Sequence, residues 1–263
     1  MGYKFDTNKI MEEYNACERK LVNGSNGYRL TSPDLVKFVS NDLRGSYISY
    51  FNFDVGISES TVRREIDYFK ERNLSFEWKV YSTDTPSTLG STLVNLGFNE
   101  ESAESFMVLD LTESNSLGFD ISNVTEVYDK EGIRDAIRVQ EKVWGGNLDW
   151  QYNYLLKLKE ESPESVLIYV VYVGKVPAAS AWLLLDGNSP FASIWGGSTV
   201  KEYRRQGFYQ TLLKKRIQEA KLRKKKYLTI DASEMSRPIV KNYGFKLVSQ
   251  IKSYLYEVDT QVL

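Results

Sequence analysis

The stretch Ser198-Thr199-Val200-Lys201-Glu202-Tyr203-Arg204-Arg205-Gln206-Gly207-Phe208-Tyr209 reads as the end of a strand, a short basic loop with one glycine, and the first turn of a helix. Upstream, Phe191 to Trp195 is apolar and suited to a strand, and Gly196-Gly197 follows it. Downstream, Tyr209, Leu213, Ile217 and Ala220 recur at helical spacing. A strand feeding a helix through such a loop leaves backbone N–H groups unpaired at the helix start, and the helix dipole favours an anion there. Arg204 and Arg205 add charge suited to phosphate oxygens. The same residues also suit an ordinary turn with a solvated basic loop. Geometry alone leaves both readings open.

Composition narrows the field. The 263 residues suffice for one large domain or two small ones, and an apolar fraction of 42% supports a globular chain with real cores. A net charge of −1 gives no global case for nucleic acid or membrane, although residues 201 to 226 carry eleven Lys or Arg against two Glu. No apolar run approaches the ~20 residues of a membrane helix, and the N-terminus has no signal-like apolar core. A cytoplasmic location is expected, and the single cysteine, Cys17, fits a reducing compartment. Cys17 reads as a helix-face thiol. Histidine is absent, which removes Ser-His-Asp and Cys-His chemistry and the usual zinc sites. No metal is expected, and any catalysis must run on carboxylates, tyrosine, serine, lysine, backbone dipoles or water.

The pattern predicts strands and helices in alternation. In the first half, helices are expected over 8–22, from Ser32-Pro33-Asp34 through Val39, over 59–72, and from Asp84-Thr85-Pro86 to Gly97. Strands are expected at Tyr47–Phe53, Phe76–Val80 and Met107–Leu111. In the second half, Val166–Val173 and Val176–Leu185 pair as a hairpin, and Tyr227–Ala232 is a strand. A short helix at Arg237–Tyr243 follows, with Ser236 as its N-cap, and two strands, Phe245–Val248 and Tyr254–Val258, close the chain. Residues 112–123, rich in Ser, Asn and Gly, are the expected linker between domains over 1–111 and 124–263.

The two halves end alike, on Asn95-Leu96-Gly97-Phe98 and Asn242-Tyr243-Gly244-Phe245, each preceded by a strand and a helix. This reads as a tandem duplication of one α/β unit. Where the second copy has its arginine loop, the first has Asp54-Val55-Gly56-Ile57-Ser58-Glu59-Ser60, with acidic residues in place of the arginines. One anion site per chain is expected.

With strand order, spacing and Gly-Phe taken together, Trp195 through Phe245 resembles the GNAT superfamily of acyl-CoA N-acyltransferases. The motif Arg/Gln-x-x-Gly-x-Gly/Ala is matched here by Arg204-Arg205-Gln206-Gly207-Phe208-Tyr209. The chain resembles the tandem-GNAT subset, with a degenerate N-terminal copy. The fold implied is α/β (α+β), two tandem GNAT-like domains, each a mixed, mostly antiparallel central sheet flanked by helices. The resemblance implies that acetyl-CoA is the co-substrate. Its pyrophosphate would lie on Arg204, Arg205, Gln206, Gly207, Phe208 and Tyr209, and its pantetheine arm along Gly197, Ser198 and Thr199. Ser236 is a further cofactor contact or simply a cap. Tyr209 stands where the family usually has Gly or Ala. The tyrosine general acid of many members is replaced by Val240, and the pantetheine-binding Asn by Ser233.

The implied reaction moves an acetyl group from a thioester to a primary amine of a small molecule or peptide, which needs a base near the amine and a proton donor near sulfur. Asp231, at the carboxyl end of a strand, is the candidate base, or else a helix cap; Glu202 is a second carboxylate. The acceptor site is expected around Trp144–Trp150 and Asp186, in a monomer or homodimer. Two other readings stand beside this one: a catalytically weak acyl-CoA-binding module, and a GNAT-fold aminoacyl transferase.

Overall fold

The computed structural model describes residues 5–22, 24, 26–112 and 121–258, so residues 113–120 of the expected linker lie outside the described residues. Two compact units make up the chain. The first holds residues 1–107, 231–237 and 247–263, and the second holds residues 108–230 and 238–246. The closing strand of the chain therefore belongs to the first unit, whereas a cut at a central linker assigns it to the second.

In the first unit, helix α1 (Thr7–Tyr14) starts on Asp6, whose carboxylate accepts from the N–H groups of Asn8 and Lys9. A turn of π-helix at Asn15–Arg19 continues it. The strands are β1 (Gly27–Thr31), β2 (Leu35–Ser40), β3 (Ser46–Phe51), β4 (Phe76–Tyr81), the short β5 (Asn99–Glu100) and β6 (Glu104–Asp110), whose last residues belong to the second unit. Helix α2 (Ser58–Lys70) lies between β3 and β4, and α3 (Leu89–Asn95) precedes Gly97. The helix expected from Ser32 is instead a hairpin. Ser32 N–H donates to the Leu35 carbonyl at 2.8 Å, closing the turn between β1 and β2, and all six residues of β2 are buried. A run buried on both faces carries no period of two, so its apolar residues resemble a helix stripe.

The sheet of this unit runs β1-β2-β3-β4-β12-β6, where β12 (Lys246–Tyr256) is the chain's last strand. The two closing strands expected at 245–248 and 254–258 form this one strand, and its residues Ile251–Tyr256 pair antiparallel with β4. An aromatic core fills the helix face, with Phe69 stacked on Phe76 at 4.2 Å and Trp78 edge-on to Phe51.

The second unit contains β7 (Val124–Val127), α4 (Lys130–Trp144), α5 (Asp149–Glu161), β8 (Val166–Val173), β9 (Val176–Leu185), β10 (Phe191–Thr199), α6 (Phe208–Leu222), β11 (Tyr227–Ala232) and α7 (Arg237–Lys241), the last two shared in part with the first unit. Its sheet order is β6-β11-β10-β9-β8-β7. Helices α4 and α5 cover one face, where Ile133, Ile137 and Leu155 meet Ile168 and Val170. Tyr169, between those two, points to the other face and lies under Lys215 of α6.

The duplication is visible in register. In each unit a strand pairs in parallel with the strand after the long helix for three residues: Ser46–Ile48 with Phe76–Trp78, and Phe191–Ser193 with Tyr227–Thr229. Gly97 and Gly244 both have φ near 90°, each before a buried phenylalanine. No helix among the described residues is long and apolar enough to cross a membrane.

Candidate functional site

Strand β10 positions the site. It holds β11 only through Ser193 and Thr229, so Ile194 to Thr199 run on without that neighbour. On its other side β10 pairs with β9, and three steps from Trp195 to Ser198 match two from Trp182 to Ser180. One extra residue, at Gly196-Gly197, makes a bulge. Glycine is needed there: a Cβ on Gly196, at φ +60°, would meet the Trp182 ring at 2.0 Å.

Val200 N–H donates to the Ala178 carbonyl at 2.9 Å, on the β9 side. Extended backbone alternates its polar groups, so the N–H and C=O of Thr199 face the opposite, unpaired edge. There Arg204 Nε donates to the Thr199 carbonyl at 3.2 Å. Thr199 Oγ1 is buried and has no hydrogen-bond partner among the described residues.

The basic loop follows a single 3-10 turn at Lys201–Tyr203. Arg205 takes φ 64° and Gly207 takes φ 84°, so two residues within three are left-handed. Only glycine adopts this without strain, and a non-glycine held there is a common mark of a functional loop. Gly207 is the N-cap of α6, and no side chain caps that helix. Its first N–H groups thus lack intrahelical partners and lie at the positive end of the dipole. Arg204, Arg205, Gln206 and Gly207 are exposed, while Phe208 and Tyr209 are partly covered. Tyr209 turns its ring to β10, beside Gly197. In the first unit, α2 begins directly after a 3-10 turn at Val55–Ile57, so the four residues Arg204–Gly207 have no counterpart there.

The second unit thus brings Gly197, Ser198, Thr199 and the loop from Arg204 to Tyr209 together as one strand end and helix start. Asp231 and Ser236 belong to the first unit. Ser236 N–H donates to the Ser233 carbonyl at 3.1 Å, and the two hydroxyls meet at 3.2 Å. Asp231 caps no helix among the described residues; its carboxylate takes an ion pair from Lys79 at 2.7 Å. Burial opposes the Lys79 ammonium, but the carboxylates of Asp231 and Glu77 outweigh it and hold its pKa above the ordinary value. In the same cluster Glu104 is pushed up to about 7 by burial and by the Asp231 charge. Sequence reasoning passed over Glu104, because no spacing rule brings residues 79, 104 and 231 together.

The basic run after the loop is largely engaged within its own unit. Lys215 pairs with Glu219 and Arg223 with Glu164, both at 2.5 Å, and Lys225 donates to the Ser189 carbonyl at 2.6 Å. Arg216 is 1% exposed. Asp149 is engaged by Arg134 at 2.7 Å and by Asn147, whose hydrogen bonds lower its pKa. Trp144 is 66% exposed, yet its indole N–H donates to Ser198 Oγ at 3.1 Å, which places the tryptophan against β10. Val240 is fully buried.

No protein-family model matches the sequence, and no curated protein sequence matches it. Solved structures do. A GCN5-related N-acetyltransferase from Kribbella flavida superposes with a TM-score of 0.63 at 15% identity, over 95% of this chain and 93% of that one. Another from Sphaerobacter thermophilus gives 0.62 at 12% identity, over 97% and 86%. A tandem GNAT protein from the clavulanic acid biosynthesis pathway gives 0.59 at 10% identity, over 87% and 79%. The chain has the GNAT fold, in two tandem GNAT-like domains, with mixed sheet flanked by helices.

Proposed function

We propose that the protein is an acyl-CoA-dependent N-acetyltransferase, with one coenzyme A site, in the second domain. The observation that carries this is the uncapped start of α6 at left-handed Gly207, behind Arg204 and Arg205 and directly after a bulged strand with an open edge. The pyrophosphate of acetyl-CoA fits the α6 N-terminus and the arginines. The pantetheine arm fits the edge of Gly197 to Thr199, where Thr199 Oγ1 offers an unused hydroxyl. Binding there displaces the Arg204 guanidinium from the Thr199 carbonyl. The first domain lacks the loop and is the degenerate copy.

The transfer forms a C–N bond to a primary amine and breaks the C–S bond; the amine gives up a proton and the sulfur gains one. Carboxylates are the available bases. Water replaces the tyrosine acid in protonating sulfur. Titration calorimetry with acetyl-CoA tests the site, and a thiol-release screen across small amines and peptides tests the reaction. Absence of acetyl-CoA binding by the wild type rejects the proposal. Binding without thiol release on any amine supports the second reading, an acyl-CoA-binding module, which buried Val240 at the acid position favours.

A further inference from the structure

Two side chains missed by motif reading converge on the β10 bulge. From α4, Gln140 is 4% exposed, and its amide donates to the Gly196 carbonyl at 2.6 Å and to Ser180 Oγ at 2.7 Å. Its own oxygen accepts from Ser198 Oγ at 2.9 Å, and Ser180 Oγ donates to the Ala136 carbonyl at 2.9 Å. Both amide protons and the amide oxygen are thus engaged, which fixes the side chain in one orientation. From α6, Arg216 Nη1 donates to the Trp195 carbonyl at 3.2 Å, and its Nε donates to the Leu212 carbonyl at 3.1 Å. Consecutive carbonyls of the bulge, Trp195 and Gly196, are therefore held by side chains from helices on opposite faces of the sheet.

Arg216 is also unusual in charge. It makes no ion pair among the described residues, and its buried Nη2 has no hydrogen-bond partner among them. Burial draws its pKa down to about 10, still far above neutrality. Nη2 lies 3.4 Å from the Cβ position of Gly197, directly behind the bulge. A buried cation without a counter-charge is costly, and its field falls off slowly in a low-dielectric interior.

We propose that Gln140 and Arg216 are positioning residues for acyl transfer: they lock the bulge so that the free edge of β10 polarises the thioester carbonyl, with the Arg216 charge reinforcing that polarisation from behind. The proposal rests on the coenzyme A reading above and asks more of it. Fixed dipoles and charges aimed at the carbonyl oxygen stabilise the negative charge that develops there.

The test is the infrared carbonyl band of carbonyl-13C acetyl-CoA bound to the full chain, measured for wild type, Gln140→Met, Arg216→Met and Arg216→Lys. Coenzyme A affinity and near-ultraviolet circular dichroism are measured on the same samples. The wild type is expected to shift the band to lower frequency. Both Met variants lose most of that shift while binding coenzyme A as wild type does, and Arg216→Lys restores part of it. An unshifted band in the wild type overturns the proposal even if a variant fails to fold. Equal bands in wild type and folded Met variants also overturn it, and leave the coenzyme A site standing. Failure of the wild type to bind acetyl-CoA overturns both.

Discussion

Gly197 lies against the ring of Tyr209, so that a Cβ at residue 197 would stand 2.9 Å from Tyr209 Cε2. This contact accounts for the departure at the third position of the loop motif. Tyr209 fits at the start of α6 because the strand opposite offers no side chain. Gly197→Ala is expected to destabilise the protein by about 1–2 kcal/mol in urea unfolding, because the ring has to shift. Tyr209→Ala in the same chain removes the obstacle, so the double variant should unfold later than the sum of the single effects implies.

Arg204→Ala and Arg205→Ala remove exposed charges at the α6 start. Each should weaken acetyl-CoA binding by roughly 10- to 100-fold, the range for a charge-assisted hydrogen bond, with little change in melting temperature. The wild-type affinity should fall as salt rises, and the double variant should respond less. Calorimetry at two ionic strengths reads both effects. Equal affinity in wild type and double variant would remove the loop from the site.

Glu104, with its pKa raised from 4.5 to about 7, links pH to stability. For stability, a carboxyl whose folded pKa is raised favours the folded state fully below about 4.5, and the benefit is lost as pH rises through 7. Because Glu104 is partly solvated, the effect is on the order of 1–2 kcal/mol. Urea unfolding at pH 5 and pH 8 should show it in the wild type and not in Glu104→Gln.

Lys79 and Asp231 are mostly buried together, with side chains 22% and 12% exposed. Lys79→Met strands the carboxylate and should cost about 2–4 kcal/mol, whereas Lys79→Met/Asp231→Leu should recover much of it. If the single and double variants unfold alike, the pair contributes nothing specific.

The arginine loop, the glycines around it and the Asn-x-Gly-Phe repeat were legible in the sequence because each acts through local backbone geometry. A left-handed residue, an uncapped helix start and a bulge are properties of a few consecutive positions. Gln140 and Arg216 left a fainter trace, each a polar residue on an otherwise apolar helix stripe, 133/136/137/140 and 212/213/217/220. The stripe shows that such a side chain is buried; it does not show which carbonyl it meets.

The sequence by itself determined the order of elements from β7 to α7, the duplication and which copy carries the loop. It misread Leu35–Ser40, because a strand buried on both faces has no alternation to display. Tertiary structure alone decided that the last strand belongs to the first unit and that Asp231 pairs with Lys79. It also decided that Arg216 turns inward to the bulge. These depend on pairings between residues far apart in the chain, set by closing sheets and filling cores. No local pattern encodes them.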